Sequence, residues 1–260
     1  MRTLAIGDVC GSIGCRALLK LLPQLKRERN IDFVIVNGEN SADGNGITPS
    51  STEQLFLAGA DVITGGNHTL HRKEIHTLLD ENPFLLRPHN LPVAYGKGYC
   101  FFDLGRTTAA VINLSGRVYL DNLKAENPFY AADSLIEKAK EDGAVNIFVD
   151  FHAEATSEKR AMGIYLDGKI TAFFGTHTHV QTADAQVLPH RSGYITDLGM
   201  TGTINSILGV ESSIIINRLK DNDLTKFSLA EGKCMLNGCI FESDQNGRCV
   251  SAERVYIKEE

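Results

Sequence analysis

The sequence has no apolar stretch approaching the ~20 residues needed to span a bilayer, so a membrane-embedded chain is not expected. Its opening, MRTLAIGDVCGS, has too short an apolar run for a secretion signal. Excess positive charge is also missing: 26 Lys and Arg against 32 Asp and Glu give a formal net charge of −6. That balance argues against stable binding of DNA or RNA backbones, which need a basic surface. A small anionic substrate fits only if something local reverses the sign of the field. The cysteines at 10, 15, 100, 234, 239 and 249 have no metal-ribbon spacing, and segment 234–249 lacks the Cys-x-x-Cys of a zinc knuckle. Reduced thiols in a cytoplasm are therefore expected. No internal repeat, low-complexity tract or linker interrupts the chain, so residues 1–260 are read as one domain.

What is present is a recurring unit: a short apolar run, then glycine or polar residues, then a helix-like segment. Leu4–Gly7 leads into a leucine-rich stretch with helical spacing, and Phe33–Asn37 into a segment where Pro49 is placed to open a helix. Asp61–Thr64 precedes GGNHTLHRKEIHTLLDE, Asn146–Asp150 precedes FHAEATSEKRAMG, and Ile170–Phe174 precedes GTHTHVQTAD. Alternation of this kind predicts an α/β protein with a partly parallel sheet. Antiparallel hairpins are predicted over 98–114, around Leu104-Gly-Arg, and over 234–257, turning at Asp244-Gln-Asn-Gly.

Five of the apolar runs end in oxygen or nitrogen donors. Asp8 follows the first, Glu39 and Asn40 the second, Asn67 with His68 the third, His152 the fourth, and His177 with His179 the fifth. In open α/β sheets the ligand site lies at the carboxyl ends of the strands. Strand side chains alternate faces, so a strand ending at Phe174 or Gly175 would free both His177 and His179 to turn toward one point.

Asp8, Glu39, Asn40, Asn67, His152, His177 and His179 form an oxygen and imidazole set suited to manganese, iron, zinc, cobalt or magnesium. Seven donors exceed what one ion usually takes from protein. They suit two ions about 3.5–4 Å apart, with Glu39 a natural bridge, and such a pair can hold a hydroxide at neutral pH. Two carboxylates, two divalent ions and one hydroxide leave the cluster at about +1, the local reversal of sign that a phosphodiester anion would neutralise.

GD at 7–8, GEN at 38–40, GNH at 66–68, FHAEATSEK at 151–159, GTHTHVQTAD at 175–184 and DLGMTG at 197–202 together resemble the YmdB-like branch of the calcineurin-type metallophosphoesterases. The resemblance runs in family order from residue 7 to 202. It implies a four-layer α/β/β/α sandwich and a dinuclear phosphodiesterase acting on cyclic nucleotides, notably 2′,3′-cyclic AMP. Iron or manganese are the metals it implies first, and assembly into homo-oligomers is common among homologous folds. Asp8, Glu39, Asn40 and His179 would hold one ion, and Glu39, Asn67, His152 and His177 the other. His68 would protonate the leaving oxygen. Where the wider superfamily has histidine and a bridging aspartate, this chain has Cys10 and Glu39. The Glu-Asn form belongs to the YmdB-like branch; Cys10 could ligate the first ion as a thiolate but is read first as a bystander thiol. Two other readings share the ligand set: a metal-dependent nucleotide-sensing regulator and a phosphomonoesterase.

The remaining candidates have plainer readings. The glycines of GDVCGSIG do not match Gly-x-Gly-x-x-Gly. His71 and His76 are expected on a solvated helix face, with His71 near the pocket rim, and His89 and His190 in loops. Thr156, Ser157 and Lys159 fit either a phosphate contact or a helix start. Asp184 is expected to orient a ligand histidine, and Asp197 and Gly199 to shape the pocket.

Overall fold

Leu4, Ala5 and Ile6 set the plan of the molecule. Leu4 and Ile6 join one core cluster and Ala5 another, as the two-residue period of a strand requires. The computed structural model describes residues 1–43 and 45–259. Its strands are β1 (Arg2–Ile6), β2 (Asp8–Val9), β3 (Phe33–Asn37), β4 (Val62–Thr64), β5 (Tyr99–Asp103), β6 (Thr108–Ser115), β7 (Asn146–His152), β8 (Ala172–Thr176), β9 (Gln186–Val187), β10 (Gly193–Ile195), β11 (Met200–Thr203), β12 (Cys234–Ser243) and β13 (Cys249–Lys258). Its α-helices are α1 (Gly11–Glu28), α2 (Pro49–Ala58), α3 (His76–Glu81), α4 (Pro128–Glu141), α5 (Thr156–Leu166) and α6 (Ser212–Asp221).

Two sheets result. One runs β2-β11-β12-β1-β3-β4 with β13 beside β12, and the other runs β5-β6-β7-β8-β10-β9. β1, β3 and β4 are parallel, as are β6, β7, β8 and β10. The sheets face each other through Ala5, Phe33, Ile35 and Phe241 on one side and Val111, Phe148 and Phe174 on the other. The outer face of the first sheet packs Leu4, Val34 and Ile63 against Leu18 and Leu22 of α1 and Leu55 of α2. The outer face of the second packs Ile112, Val149 and Phe173 against Leu135 of α4 and Met162 of α5. These are the four layers that the resemblance implies.

Pro49 opens α2, and Thr48 caps it through a reciprocal pairing with Ser51. Both hairpins form, β5 with β6 and β12 with β13. Three expectations change. The strand expected to stop at Phe174 or Gly175 runs to Thr176, and the one expected over 146–150 runs to His152. Helix after β4 is confined to a 3₁₀ turn (Lys73–Ile75) and α3, because residues 66–72 wrap into turns that bring His68 N to Glu39 Oε2 at 2.9 Å. Among the described residues no helix is long and apolar enough to cross a membrane.

Candidate metal centre

The carboxyl ends of β1, β3, β4, β7 and β8 meet at one point, so five loops deliver side chains there. Glycines allow the approach. A Cβ on Gly66 would stand 2.2 Å from Glu39 Oε2 and 2.4 Å from His152 Nε2, and one on Gly7 would stand 1.8 Å from the Gly199 carbonyl oxygen. After Thr176 the chain turns sharply: His177 and His179 have φ of 103° and 63°, the left-handed region that non-glycine residues rarely occupy. That turn, rather than an early end to the strand, brings both rings to the same side.

All seven candidate ligands converge. His152 Nε2 lies 3.2 Å from Glu39 Oε1, 2.8 Å from Asn67 Oδ1 and 3.0 Å from His177 Nδ1. Glu39, His152 and His177 each place one ligand atom within 4.8 Å of the others. Alongside, Asp8 Oδ1 lies 3.9 Å from His179 Nε2 and 4.0 Å from His152 Nδ1, and Asn40 Nδ2 lies 3.2 Å from His179 Nε2. Asp8, Glu39 and His152 are wholly buried. His68, the expected proton donor, places Nδ1 2.9 Å from Asn40 Oδ1 and 3.6 Å from Glu39 Oε1.

The hydrogen bonding selects the His152 tautomer. Thr176 Oγ1 donates to Asp150 Oδ1 at 2.7 Å, so the same oxygen accepts from His152 Nδ1 at 2.9 Å. Asp150 also accepts from Thr64 Oγ1 at 2.5 Å and Asn37 Nδ2 at 3.1 Å. Nδ1 therefore carries a proton, and Nε2 points at Glu39 and Asn67, both oxygen acceptors. Burial lowers the His152 pKa, but Glu39, Asp8 and Asp150 outweigh it and raise it, so positive charge is favoured at this ring. Acceptors this close are stable only with positive charge among them, which a divalent cation bound at Nε2 would supply in place of a proton. Asp8 Oδ1 strengthens the case, since it is buried and has no hydrogen-bond partner among the described residues. The donor set thus fits divalent cations by number, type and the direction of its lone pairs.

Electrostatics agree. Burial pushes the Asp8 carboxyl above its usual range, against the pull of His179 and His152. Burial acts the same way on Glu39, but His152 and His68 outweigh it and hold Glu39 below the ordinary carboxylate value. Burial and the nearby His152 charge hold His177 down to about 3, which leaves its ring neutral and able to ligate.

Some residues have roles other than those expected. Asp184 reaches no histidine; it accepts from the Thr182 and Thr196 hydroxyls at 2.6 and 2.5 Å and so ties the loop before β9 to the end of β10. Lys159 touches no phosphate site. It is buried with Nζ 2.6 Å from Asp197 Oδ2, which also accepts from Thr178 N at 3.1 Å and thereby fixes the peptide between His177 and His179. His76 is not solvated on a helix face but stacks on Tyr95, ring centroids 4.3 Å apart. His71 is exposed and bonds Asn45 next to His68. Cys10 is buried, with Sγ 3.7 Å from His179 Nδ1. Sequence reasoning passed over Glu154, whose Oε2 lies 2.9 Å from His177 Nε2, and the whole Asp150 network.

A cleft of about 760 Å³ opens above the cluster, lined by Glu39, Asn40, His68, His177 and His179 among others. A recess of about 920 Å³ near Met1, Asp32 and Arg106 lies at the amino ends of β1 and β3 and is lined by no histidine or cysteine. The donors, not the volume, mark the first as the reactive one.

Comparison with known proteins follows the same line. The family model described as YmdB-like protein matches residues 4–255. A 2′,3′-cyclic-nucleotide 2′-phosphodiesterase of Bacillus subtilis (strain 168) is 46% identical over 262 residues, covering 100% of this chain and 98% of that protein. The crystal structure of a hypothetical protein from Thermus thermophilus superposes with a TM-score of 0.92 at 39% identity, covering 100% of both chains. That of a novel phosphatase from Mycoplasma pneumoniae gives a TM-score of 0.93 at 35% identity, covering 100% of this chain and 94% of the other.

Proposed function

Because the chain belongs to the YmdB-like family, we propose that it is a metal-dependent phosphodiesterase that opens 2′,3′-cyclic nucleotides, 2′,3′-cyclic AMP foremost. The observation that carries this reading is the convergence of Glu39, Asn67 and His177 on His152 Nε2, with Asp8 Oδ1 beside it, unpartnered among the described residues. Asp8, Glu39, Asn40 and His179 would hold one ion, and Glu39, Asn67, His152 and His177 a second, with iron or manganese the first choices. When bound, the ions supply a nucleophilic water at neutral pH and offset the charge that builds at phosphorus.

The chain's own residues do the rest. Thr176 and Asp150 keep the His152 ring oriented, and Asp197 holds the Thr178 peptide so that His177 and His179 keep their unusual turn. His68 has Nδ1 engaged by Asn40, which leaves Nε2 for substrate. From Nε2 it gives a proton to the departing ribose oxygen, the 2′ oxygen by analogy with the Bacillus relative. With Nδ1 donating to Asn40, Nε2 holds a proton only in the doubly protonated ring; burial lowers the His68 pKa against the pull of Glu39, so that imidazolium is the acid and gives up its Nε2 proton readily.

Unpaired cysteines at 10, 15, 100, 234, 239 and 249 support reduced thiols and a cytoplasmic setting. Rates on 2′,3′-cyclic AMP, on its 3′-monophosphate and on a linear dinucleotide, each with manganese and with chelator, test the assignment. The reading expects fast, metal-dependent opening of the cyclic diester. Preference for the monoester would instead assign a phosphomonoesterase, and tight nucleotide binding without turnover would assign a sensor.

A further inference from the structure

Between β11 and β12 the chain leaves the sheet over residues 204–233 and returns to touch the donor cluster: the Leu208 carbonyl oxygen lies 3.2 Å from His179 Nδ1. The excursion is laced to itself. Ile204 N donates to Lys233 O at 2.9 Å, Val210 bridges Leu229, and Ala230 N donates to Gly209 O at 3.0 Å. Yet its helix α6 buries none of its residues, so packing the core is not its purpose. What it contributes is an apolar wall of the cleft, from Leu208, Val210, Phe227 and Leu229, facing polar groups that include His68 and Arg72.

Phe227 is the aromatic side chain of that wall, and it is 49% exposed. Arg218, which also lines the cleft, holds its guanidinium 4.1 Å from the Phe227 ring centroid and donates from Nη2 to Thr225 O at 2.9 Å. Thr225 is in turn braced by Asp223, whose Oδ1 accepts from Thr225 N at 3.0 Å. The ring is therefore fixed in place while half of it stays in water, an arrangement that costs hydration unless a flat apolar partner covers it. A nucleotide with its phosphate at the donor cluster must lay its base along a wall of the same cleft, and this wall is the apolar one.

Resting on the cyclic-nucleotide reading, we propose that Phe227, steadied by Arg218, is the nucleobase-stacking residue and sets specificity by base area rather than by base edge. Purines bind better than pyrimidines, and adenine and guanine are little distinguished, since stacking needs only a π face.

Phe227→Ala is compared with the native protein on 2′,3′-cyclic AMP and on a base-free substrate, methyl riboside 2,3-cyclic phosphate. The expected result is KM for the nucleotide raised about 5- to 100-fold, the range of base–aromatic stacking. KM for the base-free diester and kcat for both stay unchanged, and Phe227→Trp restores the nucleotide KM. Unchanged KM for the nucleotide, or equal losses on both substrates, would overturn the proposal. Calorimetric binding of adenosine 3′-monophosphate, with inorganic phosphate as the base-free probe, gives a readout without turnover. If the native protein opens no cyclic nucleotide, the phosphodiesterase reading fails by itself. Weaker nucleotide binding by Phe227→Ala then still supports the stacking role, and equal binding rejects it.

Discussion

His152 Nδ1 lies 2.9 Å from the hydroxyl of Thr176, and that hydroxyl spends its own proton on Asp150, 2.7 Å away. A hydroxyl has one proton, so this ordering makes the imidazole a donor at Nδ1 and leaves Nε2 for the proposed metal. Thr176→Val keeps the shape and removes the relay. Affinity for manganese should fall about 10- to 100-fold, the usual loss when such an orienting partner is removed. Competition with a fluorescent chelator measures it, and native affinity in the variant would show the relay to be incidental.

Gly66 tests the closeness of the site. A methyl there would meet Glu39 Oε2 at 2.2 Å and His152 Nε2 at 2.4 Å, side-chain ends that can yield only by leaving the positions in which they meet. Gly66→Ala should lower metal affinity at least tenfold while far-ultraviolet circular dichroism stays native, a loss on the scale of a displaced ligand's partner. Full metal content with full turnover would mean the two ligands have room that the structure denies.

His68→Ala separates proton transfer from metal binding. The variant should keep its metal and lose about 10²- to 10⁴-fold on 2′,3′-cyclic AMP, whose leaving alkoxide needs a proton. A nitrophenyl diester, which leaves unaided, should slow far less. Equal slowing on both substrates would remove His68 from the acid role.

The buried thiols give a pH signature. Burial pushes Cys100 up to about 12 and Cys249 up to about 11 from an ordinary value of 9.0. Below pH 9 both folded and unfolded chains keep these protons, so the thiols leave stability unaffected. Above it the unfolded thiols ionise first, the unfolded state gains, and stability is lost as pH rises toward the folded values. Each thiol contributes at most about 1.4 kcal/mol per pH unit. Urea midpoints at pH 8 and 10 should differ more for the native chain than for Cys100→Ala/Cys249→Ala, and equal differences would contradict the burial of these groups.

Much of the site was legible in the sequence because strand ends are punctuated. Asp8, Glu39, Asn40, Asn67, His152, His177 and His179 each follow an apolar run, and parallel strands put those ends together. The Asp150 network was hidden for a related reason. Asn37, Thr64, Asp150 and Thr176 lie within the last residues of their strands, where a polar residue reads as the end of the strand rather than as an inward-facing partner. The left-handed turn at His177 and His179 has no glycine to announce it, because neighbours such as Asp197 and Asp8 hold it from outside: Asp8 Oδ2 accepts from His177 N at 3.1 Å. The helix expected after β4 forms only from Lys73 onward, since before it residues 66–72 are turned so that the His68 amide meets Glu39. Helix α6 escaped notice since its isoleucines and Leu219 are half-buried or exposed and form no buried stripe.

The most direct measurement is elemental analysis of protein saturated with manganese, for the native chain and for His177→Ala. Two ions per native chain, falling to one in the variant together with loss of most cyclic-nucleotide turnover, is the expected result. Native protein that opens the substrate at full rate after exhaustive chelation, or a variant retaining both ions and full activity, would contradict the assignment.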